Sequence, residues 1–152
     1  MILEEGSKNV TIIHFDCRCR QVRAGNRSAF EHAGHKLTFV ENDHESAAKA
    51  KEIFGNHVIF GDGCDPKVLE RALISNMQVI VAATGDDEDN LIIAELAHHI
   101  FNVPCVLTRV NRPENQWLFT AHRGVDTAFC PVATTADFIK AEIDKHTKEI
   151  QG

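Results

Sequence analysis

The feature that most constrains this chain is an alternation, sustained from residue 10 to residue 145, between short β-branched runs and longer amphipathic stretches. The apolar runs fall at 10–13 (V-T-I-I), 37–41 (L-T-F-V-E), 58–60, 78–83 (Q-V-I-V-A-A), 103–110 and 126–130. Strands separated by helices cannot close tight hairpins, so each reaches its neighbour by a crossover and lies parallel to it. Parallel strands are buried on both faces, which is why these runs are continuously apolar and not alternating. The expected fold class is α/β, a doubly wound parallel sheet of about six strands with helices on both faces. It forms one domain over 10–145, with an N-terminal extension at 1–9 and a frayed tail at 146–152.

Local signals place the helices. Asp43 is an N-cap for a helix carrying Ala47, Ala48, Ala50 and Ile53, closed by Gly55 as a C′ glycine. Asp65-Pro66 pairs a cap with an N1 proline, opening a helix through Val68, Leu69 and Leu73. Beyond Thr84-Gly85-Asp86, the pattern puts Leu91, Ile92, Leu96 and Ile100 on one helical face. A further helix is expected over 113–122, ending at Gly124. Thr134 or Thr135 then caps a C-terminal helix with Phe138 and Ile143.

Composition narrows the function classes. The 152 residues carry a net charge of −6, which supplies no field to recruit nucleic acid. No apolar run approaches the roughly 20 residues that span a bilayer, so direct membrane insertion is not expected. Five cysteines, at 17, 19, 64, 105 and 130, are odd in number and scattered, which fits reduced thiols in a cytoplasmic protein better than a disulfide framework. Cys17, Cys19 and nearby His14 could form one corner of a metal site. A closed zinc site needs four ligands, however, and no second pair is visible, so no metal is expected.

Several short motifs then occur in a specific order: A-G-H at 33–35, G-D-G-C-D-P at 61–66, A-A-T-G-D-D-E-D-N-L at 82–91, F-N-V-P at 101–104, T-R-V-N-R-P-E-N-Q-W-L-F at 108–119 and G-V-D at 124–126. From Gly34 to Pro131 the chain resembles the regulator-of-potassium-conductance family (RCK, KTN or TrkA-N domains). The resemblance implies a Rossmann-like fold and a cytoplasmic regulatory domain that binds NAD(H) or an adenine nucleotide such as ATP, ADP or AMP. It also implies a homodimer or larger ring working on a membrane potassium channel or transporter, without catalysis of its own.

In such a fold the ligand crevice lies beyond the carboxyl ends of the strands. Glu41, ending the second strand, stands where a carboxylate accepts hydrogen bonds from a ribose diol, though it could equally be a solvated strand-end carboxylate. Asp62 resembles the family's aspartate near the adenine, but could instead stabilise its own turn. Thr84, Gly85, Asp86 and Asn90 line the end of the fourth strand and the next helix start, where Asp86 or Asp87 could simply be an N-cap. Arg109 resembles an arginine near the family's cleft, with a structural salt bridge as the alternative.

One expected element is missing. The family pattern places G-x-G-x-x-G directly after the first strand, because glycines let backbone N–H groups approach the phosphates. Counted from that strand, the glycine positions hold His14, Asp16 and Cys19; counted back from Gly34, they hold Arg18, Arg20 and Arg23. Either arginines such as Arg18 and Arg20 hold phosphate with their side chains, or the loop has lost that capacity and the domain serves as an oligomerisation module. An NAD-dependent oxidoreductase domain is the third reading, opposed by the lack of chain for a substrate domain. Self-association could use the helix at 87–101, or Trp117, Leu118 and Phe119, all of which could also be ordinary core.

Overall fold

The computed structural model describes residues 8–13 and 34–150, with side chains through residue 146. Six strands, β1 (Asn9–Ile13), β2 (Lys36–Glu41), β3 (Val58–Phe60), β4 (Val79–Ala82), β5 (Cys105–Arg109) and β6 (Thr127–Phe129), form one sheet in the order β3-β2-β1-β4-β5-β6. Every pairing is parallel. This is the Rossmann strand order, with its reversal of direction between β1 and β4.

Alternation along the strands divides the core in two. On one face Val10, Ile12, Leu37, Phe39 and Val58 form a cluster against Ala50 and Phe54 of helix α1 (His44–Phe54). The Phe39 and Phe54 ring centroids lie 4.2 Å apart there. On the other face Ile13, Val40, Ile80 and Val106 pack with Val68 and Leu69 of α2 (Pro66–Arg71) and with Leu91, Ile93 and Ala94 of α3 (Asp87–Glu95).

The caps form as the residue types dictate. The Asp43 side chain accepts the Ser46 N–H, Asp65 accepts that of Lys67, and Asp86 accepts that of Glu88. Gly55 closes α1 at φ 62°, a conformation that costs glycine little.

Four local expectations are corrected. Helix α2 ends at Arg71, and Leu73 lies beyond it in the left-handed region at φ 54°. The buried side of α3 is Asn90, Leu91, Ile93 and Ala94, continued by Ala97, whereas Ile92 and Ile100 face solvent. A π-helical turn over Leu96–Ile100 prolongs α3, and the wider turn swings Ile100 off the helix's core face. The expected helix over 113–122 is two 3₁₀ segments, Pro113–Leu118 and Ala121–Arg123, parted by the extended Thr120. Finally, α4 (Pro131–Ile150) starts before Thr134 and Thr135, whose hydroxyls donate back to the Cys130 and Pro131 carbonyls within its first turns. That helix runs to Ile150.

Candidate functional site

In a sheet of this order a ligand crevice is expected at the carboxyl edge, where the strand order reverses between β1 and β4, and the residues read as a site fall on that edge. β2 delivers Glu41, β3 leads to Asp62, β4 leads to Thr84, Gly85 and Asp86, and β5 delivers Arg109. The structure therefore brings together seven of the nine, counting Asn90 at the start of α3. Arg18 and Arg20 lie outside the described residues, as do His14, Cys17 and Cys19.

The seven are of two kinds. In the first, the fold occupies the side chain. Asn90 is fully buried: its Oδ1 accepts the Thr84 N–H at 2.8 Å, and its Nδ2 donates to the carbonyls of Thr84 (3.3 Å) and Arg109 (3.0 Å). It is a clip between the ends of β4 and β5. The buried Thr84 hydroxyl lies 2.8 Å from the same Oδ1 and 2.9 Å from the Asp86 carbonyl. Asp86 caps α3, and Asp62 accepts the Cys64 N–H at 2.8 Å in a side-chain turn.

The other three, Gly85, Glu41 and Arg109, stand at the same carboxyl edge. A Cβ built on Gly85 meets nothing within 4 Å, so glycine there is not demanded by packing. Gly63 is the opposite case, since its Cβ would come within 2.3 Å of Ile13 Cγ2. Glu41 is buried yet holds a carboxylate at the edge, where it accepts the Asp43 N–H at 2.9 Å. Arg109 Nε is buried with no hydrogen-bond partner, and no ion pair to Arg109 is found among the described residues. The β4–β5 register puts Arg109 on the same sheet face as Glu41, one strand outside the reversal on the opposite side.

Sequence reasoning missed the strongest polar cluster of this edge. The buried Asp87 carboxylate accepts the Asn111 N–H (2.6 Å) and Asn111 Nδ2 (3.1 Å) on one oxygen. Its other oxygen accepts the Arg112 N–H (3.2 Å) and Asn115 Nδ2 (2.8 Å). Burial alone would raise its pKa, but hydrogen bonds from the Asn111 amide, Asn115, the Arg112 amide and the Asn111 side chain outweigh it and hold the carboxyl below its ordinary value. The signal was present as N-R-P-E-N at 111–115, three residues able to donate to one acid, but only the fold shows which acid they meet. Nearby, burial first, then the charges of Asp89 and Asp62, push the Cys64 thiol up to about 12, so it is un-ionised at neutral pH. Cys64, Cys105 and Cys130 are all free. Among the described residues no group of three or more His, Cys, Asp or Glu could hold a metal, and no helix is long and apolar enough to cross a membrane.

Sheet order and all-parallel pairing together define a Rossmann-type domain. The chain belongs to the TrkA-N domain family, whose model matches residues 23–131. The Trk system potassium uptake protein TrkA of Mycobacterium tuberculosis is 39% identical over 112 residues, covering 72% of this chain. The chain spans about half the length of that relative, the match covering 50% of it. Among solved structures, the C-terminal domain of Kef from Shewanella denitrificans in AMP-bound form superposes with a TM-score of 0.68 at 22% identity, covering 91% of this chain and 81% of that one. The GsuK channel bound to NAD superposes at 0.65 and 17% identity, covering 86% of this chain and 22% of that one.

Proposed function

We propose that this chain is the ligand-sensing domain of a cytoplasmic regulator of potassium uptake, taking an adenine nucleotide or NAD(H) in the crevice between β1 and β4 and acting by assembly, not catalysis. The observation that carries the sensing half is Arg109. A buried guanidinium nitrogen without a hydrogen bond is costly, and an anionic ligand oxygen entering the crevice would satisfy it. Glu41 on the same face supplies the matching acceptor for ribose hydroxyls, and the open space over Gly85 leaves room for a ligand backbone to pass close to β4. The TrkA relatives and the AMP-bound and NAD-bound structures of the same fold support the ligand class.

The assembly half rests on α4. Its 20 residues place Val132, Ala136, Ile139 and Ile143 at a 4-3-4 spacing, the seam spacing of a helix that pairs with another. Val132, Ile139 and Ile143 are all exposed. We propose that a second copy of this chain covers that seam. Of the surfaces expected from sequence, Ile92, Ile100 and Trp117 are exposed, whereas Phe119 is core.

Thermal unfolding with NADH, NAD, ATP, ADP and AMP at millimolar concentration tests the sensing half. A ligand at 100 times its dissociation constant stabilises by about 2.7 kcal/mol, roughly 5–10 °C for a domain of this size. The shift should shrink in Arg109→Gln. No shift with any of the five removes the sensing reading and leaves the assembly module. Light scattering on Ile139→Glu/Ile143→Glu tests the second half, a monomer being expected where the parent associates.

A further inference from the structure

Strand β3 ends in an aromatic residue that the core does not use. Val58 and Ile59 pack into the two clusters on either side of the sheet, but Phe60 is 46% exposed. It is held in a defined place nonetheless. The β2–β3 register makes Phe60 the direct neighbour of Glu41, so the two side chains leave the sheet on the same face at its carboxyl edge. The ring of His44, the first residue of α1, meets the Phe60 ring nearly edge-on, with centroids 5.6 Å apart and planes at 70°. The Phe60 carbonyl accepts from the Arg71 guanidinium at 3.0 Å, which fixes the strand end from the α2 side.

A half-exposed ring, buttressed at its edge and set beside a buried carboxylate, is the arrangement that receives a flat heteroaromatic base with its ribose attached. We infer that Phe60, positioned by His44, is the base-stacking wall of this site, and that the ligand is held mainly by its nucleoside end. The inference rests on the nucleotide reading given above and adds to it a specificity-determining residue. The sequence after β1 lacks the glycines that let backbone amides reach a diphosphate, so any grip on a longer phosphate tail falls to side chains. Base-on-aromatic stacking then carries a larger share of the affinity.

The test is calorimetric titration of the 152-residue chain with AMP, ADP, NADH and ribose 5-phosphate, repeated on Phe60→Leu and Phe60→Trp. Leucine keeps an apolar side chain but removes the π face; tryptophan enlarges that face. The expected result is roughly tenfold weaker AMP binding in Phe60→Leu. Binding should be retained or tightened in Phe60→Trp, AMP and ADP should bind the parent within a few-fold of each other, and unfolding midpoints should stay unchanged. Ribose 5-phosphate should bind both variants like the parent. Equal AMP affinity in the parent and Phe60→Leu overturns the stacking wall while leaving the nucleotide reading intact. A parent that binds none of the four overturns both.

Discussion

Asp87 gives the sharpest quantitative test of how this edge is built. Its four hydrogen bonds, from Asn111, Arg112 and Asn115, tie the start of α3 to the segment that follows β5. Asp87→Asn is nearly isosteric but turns one acceptor oxygen into an N–H₂ group facing two donors. Hydrogen bonds to a charged acceptor contribute about 1.5–3 kcal/mol each, and the several kcal/mol needed to bury the carboxylate offset much of the sum. Removing the charge from a site built around it should therefore cost about 3 kcal/mol, or roughly 6–12 °C in unfolding midpoint. The pH dependence follows from sign. A carboxyl held below its ordinary 3.8 contributes stability that is fully present above that value and is lost as pH falls through the folded-state value. Urea unfolding followed by circular dichroism should show the full gap between parent and variant at pH 7 and a shrinking gap below about pH 4. Trp117, the only tryptophan, lies in the tethered segment and is 75% exposed, so its anisotropy should fall in the variant. A gap under about 0.5 kcal/mol at pH 7, or one unchanged at low pH, refutes the latch; surface substitutions cost no more than that.

Two further substitutions probe strain that the fold carries. The Thr108 hydroxyl is fully buried without a hydrogen-bond partner, so Thr108→Val should stabilise the domain by about 1 kcal/mol in urea unfolding; a loss of stability would mean the hydroxyl has an undetected role. Leu73 holds a left-handed conformation at φ 54° just past α2 while its side chain is largely exposed, so Leu73→Gly should raise stability by about 0.5 kcal/mol, and a clear loss would show that the side chain is held by contacts.

The sheet was legible because its signal is local. Runs such as V-I-V-A in β4 and V-T-I-I in β1 are short, β-branched and continuously apolar, and only a two-sided parallel sheet buries such runs whole. The caps at Asp43 and Asp65, and a third at Asp86 or Asp87 that proves to be Asp86, were legible for the same reason: a capping side chain reaches only its own next turn. What failed was whatever depended on distant residues. The buried face of α3 is built from Asn90, Ala94 and Ala97 as much as from Leu91 and Ile93, and apolar periodicity passes over small and polar residues. The segment after β5 is two short 3₁₀ turns in place of a helix, broken at Phe119 and at the extended Thr120, which no local signal marks. Asp87 itself read only as an alternative N-cap to Asp86, since its partners are adjacent only once β5 lies beside β4.

The residues read as a site share one edge of the sheet but differ in what the fold already asks of them, and the difference has a consequence for function. Thr84, Asp86 and Asn90 belong to the family-like motif at 82–91, yet their hydrogen bonds hold β4, β5 and α3 together with or without a ligand. A group whose donors and acceptors are all engaged within the fold, as at both ends of the Asn90 amide, gains little from a ligand. The groups with something to gain are those the fold leaves in a locally unfavourable state: the unpartnered Arg109 nitrogen, the half-exposed Phe60 ring and the glycine at 85 that packing does not require. Departures of this kind concentrate where a protein gives up stability for binding. Substitutions in the two groups should therefore separate: those at Asn90 should lower the unfolding midpoint of the unliganded chain, whereas those at Arg109 and Phe60 should leave it in place and remove only the increment that ligand adds.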